Sequence, residues 1–122
     1  MGSDDKKHIA VIDDETSVTE TLEFFLSQYY RVSVYSDGEA FLKNAESEVP
    51  DLIVSDFMMQ IMDGITLAKK LRALSTYQSV PILMITALGD TELENAKTVG
   101  ITEYITKPFN IQDVLAAIQK YI

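Results

Sequence analysis

Four short apolar runs, rich in β-branched residues and each followed at once by a polar residue, constrain this chain more than any other feature. They are Ile9-Ala10-Val11-Ile12 before Asp13-Asp14, Leu52-Ile53-Val54-Ser55 before Asp56, Ile82-Leu83-Met84-Ile85 before Thr86, and Tyr104-Ile105-Thr106 before Lys107. Runs of this length and composition predict strands, so each polar residue falls at a strand's carboxyl end. In an open parallel α/β sheet those ends gather along one edge, where ligands bind near a switch in strand order. Three carboxylates, a hydroxyl and an ammonium then meet in one cleft.

The rest of the chain reads as the helices that such a sheet needs. A first strand over about 8–12 leads into a helix from about Thr16 to Gln28, with Val18, Leu22, Phe25, Leu26 and Tyr29 at helical spacing. Strand 2 is Arg31 to Tyr35, and Asp37-Gly38 turns into a weaker helix around Ala40 to Ala45. Pro50 precedes strand 3, and a helix begins near Gly64 with Leu67, Ala68, Leu71 and Leu74 on one side. Pro81 introduces strand 4. The helix predicted at about Thr91 to Val99 has the poorest apolar stripe, and Gly100 fits its stop. Asn110 is placed to cap a last helix that carries Ile111, Val114, Leu115, Ile118 and Ile122 inward. Strands apolar almost throughout are those covered by helices on both faces. The expected fold is therefore α/β: a doubly wound, flavodoxin-like sheet of five parallel strands with five helices, in strand order 2-1-3-4-5.

Length and charge narrow the function. At 122 residues the chain suits one domain with a real core, with residues 1–7 expected as a polar tail and 8–122 as the folded unit. The balance of 10 basic against 19 acidic residues, without a basic stripe, disfavours direct nucleic-acid binding. The absence of cysteine excludes a disulfide scaffold and a thiolate metal site. The first seven residues lack a signal peptide's apolar core, and no apolar run nears the ~20 residues of a membrane span. A soluble, cytoplasmic protein without a membrane segment is expected.

Adjacent carboxylates repel, so Asp13, Asp14 and Asp56 in one cleft are costly unless a cation neutralises them. Magnesium fits, because it takes oxygen ligands and typically uses one or two carboxylates beside a substrate phosphate, while the ligand spacing of a calcium loop is missing. Zinc is disfavoured without His or Cys nearby. A phosphoryl group at the same place needs positive charge and donors for its oxygens, which Lys107 and Thr86 can supply. A nucleotide-binding loop does not fit, because Asp13-Asp14-Glu15 repels a phosphate held by backbone N–H groups. A phosphatase with its acceptor on strand 1 needs two aspartates one residue apart; here they are adjacent, and the isolated Asp56 is the better acceptor.

Five segments in order resemble one family: Ile12-Asp13-Asp14-Glu15, Ser55-Asp56-Phe57-Met58-Met59, Met62-Asp63-Gly64, Ile85-Thr86-Ala87 and Tyr104-Ile105-Thr106-Lys107-Pro108-Phe109. The chain resembles the receiver domain of two-component response regulators, of which the chemotaxis receiver is the single-domain form. The resemblance implies that Asp56 accepts a phosphoryl group from the phosphohistidine of a sensor histidine kinase or phosphotransfer protein. It implies magnesium held directly by Asp14, Asp56 and the backbone carbonyl of Met58, with Asp13 acting mostly through a water. Lys107 and Thr86 would contact the phosphoryl oxygens, and Lys107-Pro108 is expected to be cis. Thr86 and Tyr104 would form the movable pair of the switch. The face made by the helix at Thr91–Val99, strand 5 and the last helix would meet an output domain, a target protein or a second copy of the phosphorylated chain.

Three positions bear on variation within that pattern. Many relatives carry proline where this chain has Gln60, which bears on the rigidity of the loop after the acceptor. The positions two after Asp56 and two after Thr86 are the apolar Met58 and Leu88, which cannot orient a water, so slow loss of the phosphoryl group is expected. Taken singly, every residue has a bland reading: Asp13-Asp14 as a pair favouring a helix start, Asp56 and Asp63-Gly64 as turns, Thr86 as a strand-end hydroxyl, Lys107 as a surface charge, Tyr104 as a half-buried strand aromatic and His8 as an exposed residue. Those readings do not account for the shared edge. The alternatives are a pseudo-receiver acting as a constitutive interaction module and a magnesium-dependent phosphohydrolase; the chain is expected to be a phosphoacceptor and not an enzyme acting on a separate substrate.

Overall fold

The computed structural model describes residues 6–87 and 99–122. Five parallel strands, β1 (His8–Ile12), β2 (Arg31–Tyr35), β3 (Leu52–Asp56), β4 (Ile82–Thr86) and β5 (Glu103–Thr106), form one sheet in the order 2-1-3-4-5. Four helices are described: α1 (Thr16–Leu26), α2 (Gly38–Asn44), α3 (Gly64–Arg72) and α4 (Ile111–Tyr121), with a short 3-10 turn at Ser75–Tyr77. The helix expected over Thr91–Val99 falls almost wholly outside the described residues.

The alternation of side chains along a strand splits the core in two. Ala10, Ile12, Ile53, Ile82 and Met84 face α2 and α3 and pack with Phe41, Ala45, Leu67, Ala68 and Leu71. Ile9, Val11, Leu52, Val54, Leu83 and Ile85 face the other way and pack with Leu22 and Leu26 of α1 and Val114, Ala117 and Ile118 of α4. Burying each large aliphatic side chain contributes about 1.5–3 kcal/mol. β1, β3 and β4 are buried at every position, while the edge strands β2 and β5 are not.

Helix starts follow their caps. Asp37, Asp63 and Asn110 accept hydrogen bonds from the backbone N–H groups of Ala40, Thr66 and Asp113, satisfying first-turn donors that lack an intrahelical partner. The turn expected at Asp63-Gly64 is thus a capped helix start. Gly64 is required there: a Cβ would lie 2.6 Å from the Asp56 carbonyl oxygen and 2.6 Å from Met84 Sδ. Its absence lets α3 begin directly against the end of β3.

Two expectations are corrected. His8 is buried rather than exposed, because β1 lies between β2 and β3: its Nε2 is 2.8 Å from Ser33 Oγ, and its backbone N–H donates to Asp51 Oδ2 at 2.7 Å. On α1 the apolar face is narrower than the spacing suggested. Leu22 and Leu26 are buried, whereas Phe25 remains 38% exposed because one sheet face and α4 cover only part of the helix, and Tyr29, 54% exposed, falls after the helix has ended at Leu26.

Candidate functional site

The carboxyl ends of β1, β3, β4 and β5 meet along one edge, and strand register sets their levels. Asp56 pairs with Ile85, one residue before Thr86, and Thr86 pairs with Thr106, one residue before Lys107. The Lys107 N–H donates to the Thr86 carbonyl at 2.9 Å, and the Lys107-Pro108 peptide is cis, as the resemblance implied.

Asp13 and Asp56 are each 3% exposed, while Asp14 stands in solvent. One carboxylate oxygen from each of the three lies within 4.8 Å of the others. Burial, partly opposed by the Glu15 backbone N–H and assisted by the Asp56 charge, raises the Asp13 carboxyl from 3.8 to about 6. Glu15 N–H donates to Asp13 Oδ1 at 2.9 Å, but Asp13 Oδ2 is buried with no hydrogen-bond partner. Burial likewise raises Asp56, although Lys107 Nζ is 2.9 Å from its Oδ1 and pulls the other way. Burial pulls Lys107 down, yet Asp56, Asp13 and Glu15 together hold it above its ordinary range. Lys107 therefore stays an ammonium beside carboxylates whose negative charge it only partly offsets.

The donor set suits a hard cation. Three carboxylates with an oxygen of each within 4.8 Å of the others, one bearing an unpartnered buried oxygen, offer the kind of oxygen ligand magnesium takes, with no imidazole or thiolate among them. Met58 lies two residues beyond Asp56 in the loop leading to α3, its side chain 68% exposed. Thr86 is buried at the end of β4; Tyr104, level with Met84, is half-buried against the α2–α3 side of the core. Leu88 lies outside the described residues. The sequence reading thus brought together Asp13, Asp14, Asp56 and Lys107, with Thr86 at the adjoining strand end.

Two contacts escaped that reading. Glu15 Oε1 is 3.4 Å from Lys107 Nζ, and the signal was its place directly after the two aspartates. The backbone N–H of Gln60 donates to Asp14 Oδ2 at 3.1 Å; a main-chain donor leaves no trace in side-chain chemistry.

Residues 9–119 match the response regulator receiver domain family. The chain belongs to that family. Among its relatives is the alkaline phosphatase synthesis transcriptional regulatory protein PhoP of Bacillus subtilis, 42% identical over 93% of this chain and 47% of PhoP. The chain thus spans about half the length of that relative. Chemotaxis protein CheY4 of Vibrio cholerae superposes with a TM-score of 0.90 at 31% identity, covering 96% of this chain and 99% of CheY4. The receiver domain of sensor histidine kinase PA1611 from Pseudomonas aeruginosa, solved with a magnesium ion coordinated in its active-site cleft, gives 0.83 at 27% identity, covering 95% and 97%. The receiver fold and its acidic cluster are therefore those of a two-component signalling domain.

Proposed function

We propose that residues 8–122 form a phosphorylation-controlled switch in which Asp56 accepts a phosphoryl group from the phosphohistidine of a sensor histidine kinase or phosphotransfer protein. The observation that carries this reading is the buried Asp56 carboxylate, paired with Lys107 at 2.9 Å beside two further aspartates. An Asp56 oxygen forms the new bond to phosphorus as the phosphorus–nitrogen bond of the donor breaks, and the bonding pair leaves with the imidazole. Lys107 and Thr86 offer an ammonium and a hydroxyl to the equatorial oxygens, holding the charge where it develops.

Asp13, Asp14, Asp56 and the Met58 carbonyl would hold magnesium, which supplies the positive charge that lets an anionic donor approach three carboxylates. The magnesium in the cleft of the PA1611 receiver domain supports that choice. Met58 and Leu88 give an attacking water no polar side chain to orient it, which favours slow loss of the phosphoryl group. Phosphorylation biases the packing around Thr86 and Tyr104, and the surface around β5 and α4 passes the change to an output domain, a separate target or a second copy of the chain. Among the described residues no helix is long and apolar enough to cross a membrane, which agrees with work in the cytoplasm.

The test is intact mass after incubation with acetyl phosphate. Wild type gains one phosphoryl group with magnesium and none with chelator, and Asp56→Ala gains none in either. Uptake by Asp56→Ala, or uptake indifferent to chelation, would overturn the reading.

A further inference from the structure

The loop between β3 and α3 contains the one non-glycine residue with positive φ among the described residues: Ile61, at 69°. Across it the Met62 N–H donates to the Gln60 carbonyl at 2.6 Å. A bond of that span around a positive φ makes a γ-turn of the rare, strained hand, and a β-branched residue resists that conformation most. Strain of this kind persists only where the surroundings over-determine it. The Ile61 side chain, 74% exposed, does not anchor the turn by burial. Hydrogen bonds do. The Gly64 N–H closes the base of the loop on the Phe57 carbonyl at 2.8 Å, and the Gln60 N–H reaches Asp14 Oδ2 at 3.1 Å across 46 residues of sequence.

Asp14 is the exposed member of the cluster. Burial and Lys107 hold Asp56, and burial and the Glu15 N–H hold Asp13. An exposed carboxylate has rotamer freedom to lose when a ligand binds. A main-chain donor on one oxygen removes that freedom beforehand and leaves the second oxygen available.

We infer that the backbone N–H of Gln60 positions Asp14 for divalent cation uptake, the γ-turn at Ile61 being the conformation that aims it. The inference rests on reading Asp13, Asp14 and Asp56 as a magnesium site. It gives the glutamine side chain no part. Any residue with an N–H serves at position 60, and proline, which lacks one, does not.

The experiment is a magnesium chloride titration of the isotope-labelled chain followed by amide chemical shifts, for wild type, Gln60→Ala and Gln60→Pro. Loss of an outer partner of a metal ligand typically weakens affinity 10–100-fold; for a solvent-exposed bond we expect about 3–10-fold in Gln60→Pro and under about twofold in Gln60→Ala. Equal or tighter binding by Gln60→Pro overturns the inference, as does equal weakening in both variants. A wild type without magnesium-dependent shifts overturns the magnesium reading itself, and the inference with it. Hydrogen exchange supplies an arm that needs no proline in the loop: the Gln60 amide is protected in metal-free wild type and loses that protection in Asp14→Ala. Rapid exchange at Gln60 in wild type overturns the inference directly.

Discussion

Among the described residues, the two buried side-chain polar atoms without a hydrogen-bond partner lie at opposite ends of β1: Nδ1 of His8 and Oδ2 of Asp13. Their surroundings differ in kind. Burial, then the Arg31 charge, lowers the His8 imidazole, so it is neutral at pH 7 and the missing bond costs only the desolvation of a neutral ring nitrogen, ~1–3 kcal/mol. Elsewhere along the same, amino-terminal edge of the sheet the polar groups are paired. Arg72 donates to the carbonyls of Gly100, Tyr77 and Val80, the Tyr77 hydroxyl donates to the Ala45 carbonyl, and Gly100, at φ 92, leaves room for the Arg72 side chain where a Cβ would lie 2.8 Å from its Nε. At the other end, Asp13 is a buried acid ionised above pH of about 6, beside a second buried acid. One end of the sheet is closed by pairing and holds the fold; the other keeps uncompensated charge that a ligand can relieve.

Removing the main clamp at the paired end gives the largest expected effect. Arg72→Ala strips the donors from three carbonyls at once, and urea denaturation should show a loss of about 3 kcal/mol. Arg72→Lys should recover only part, because an ammonium cannot reproduce the fork. Magnesium affinity should stay within about twofold of wild type, as loss of a distant hydrogen bond does not alter the ligands. A cost below about 1 kcal/mol, on the scale of ordinary surface substitutions, would erase the contrast between the ends.

The opposite sign is expected at the site. Unfolded Asp13 loses its proton around the ordinary 3.8, whereas folded Asp13 keeps it to about 6. Between those values the folded state binds more protons, so this group makes stability fall as pH rises, and the full cost is present above the folded value. The interval from 3.8 to about 6 corresponds to ~3 kcal/mol. In chelator, Asp13→Asn should therefore be more stable than wild type by ~2–3 kcal/mol at pH 7–8, the gain fading toward pH 4. It should also bind magnesium more weakly, so saturating magnesium narrows the gap by favouring the wild type. His8 contributes the reverse slope: lowered in the folded state, it costs stability as pH falls below its ordinary 6.5. A variant no more stable than wild type at pH 7–8 in chelator would show that Asp13 carries no such charge penalty.

Local chemistry explains which of these features could be read from residues alone. Apolar runs ending in Asp13, Asp56, Thr86 and Lys107 reveal both the sheet and its functional edge, because a parallel sheet puts every carboxyl end on one side. Asp37, Asp63 and Asn110 act within three residues of themselves as caps. What stayed hidden depends on distant partners or on the main chain. His8 is buried by Ser33 and Asp51, 25 and 43 residues away. Phe25 keeps helical spacing but lies beyond the arc of α1 that the sheet and α4 cover, and Tyr29 falls past the end of the helix at Leu26. The Gln60–Asp14 bond joins a backbone N–H to a carboxylate 46 residues earlier, and no residue type encodes it.

The smallest expected effect tests whether backbone strain, like charge, is concentrated at the site. Ile61 sits at φ 69 with its side chain largely in solvent, so replacing it loses little buried surface. Strain at such a residue costs of order 1–3 kcal/mol. Glycine removes that cost and adds about 0.5–1 kcal/mol of backbone entropy on folding, so Ile61→Gly should gain ~1 kcal/mol in urea denaturation of the metal-free chain. Ile61→Ala is the control: it loses the β-branch but keeps a Cβ in the left-handed region, and should gain less. If the glycine variant is less stable than the alanine variant, entropy outweighs strain at this position. The loop beside Asp14 would then be as relaxed as the clamp around Arg72, and the difference between the two ends would be one of charge alone.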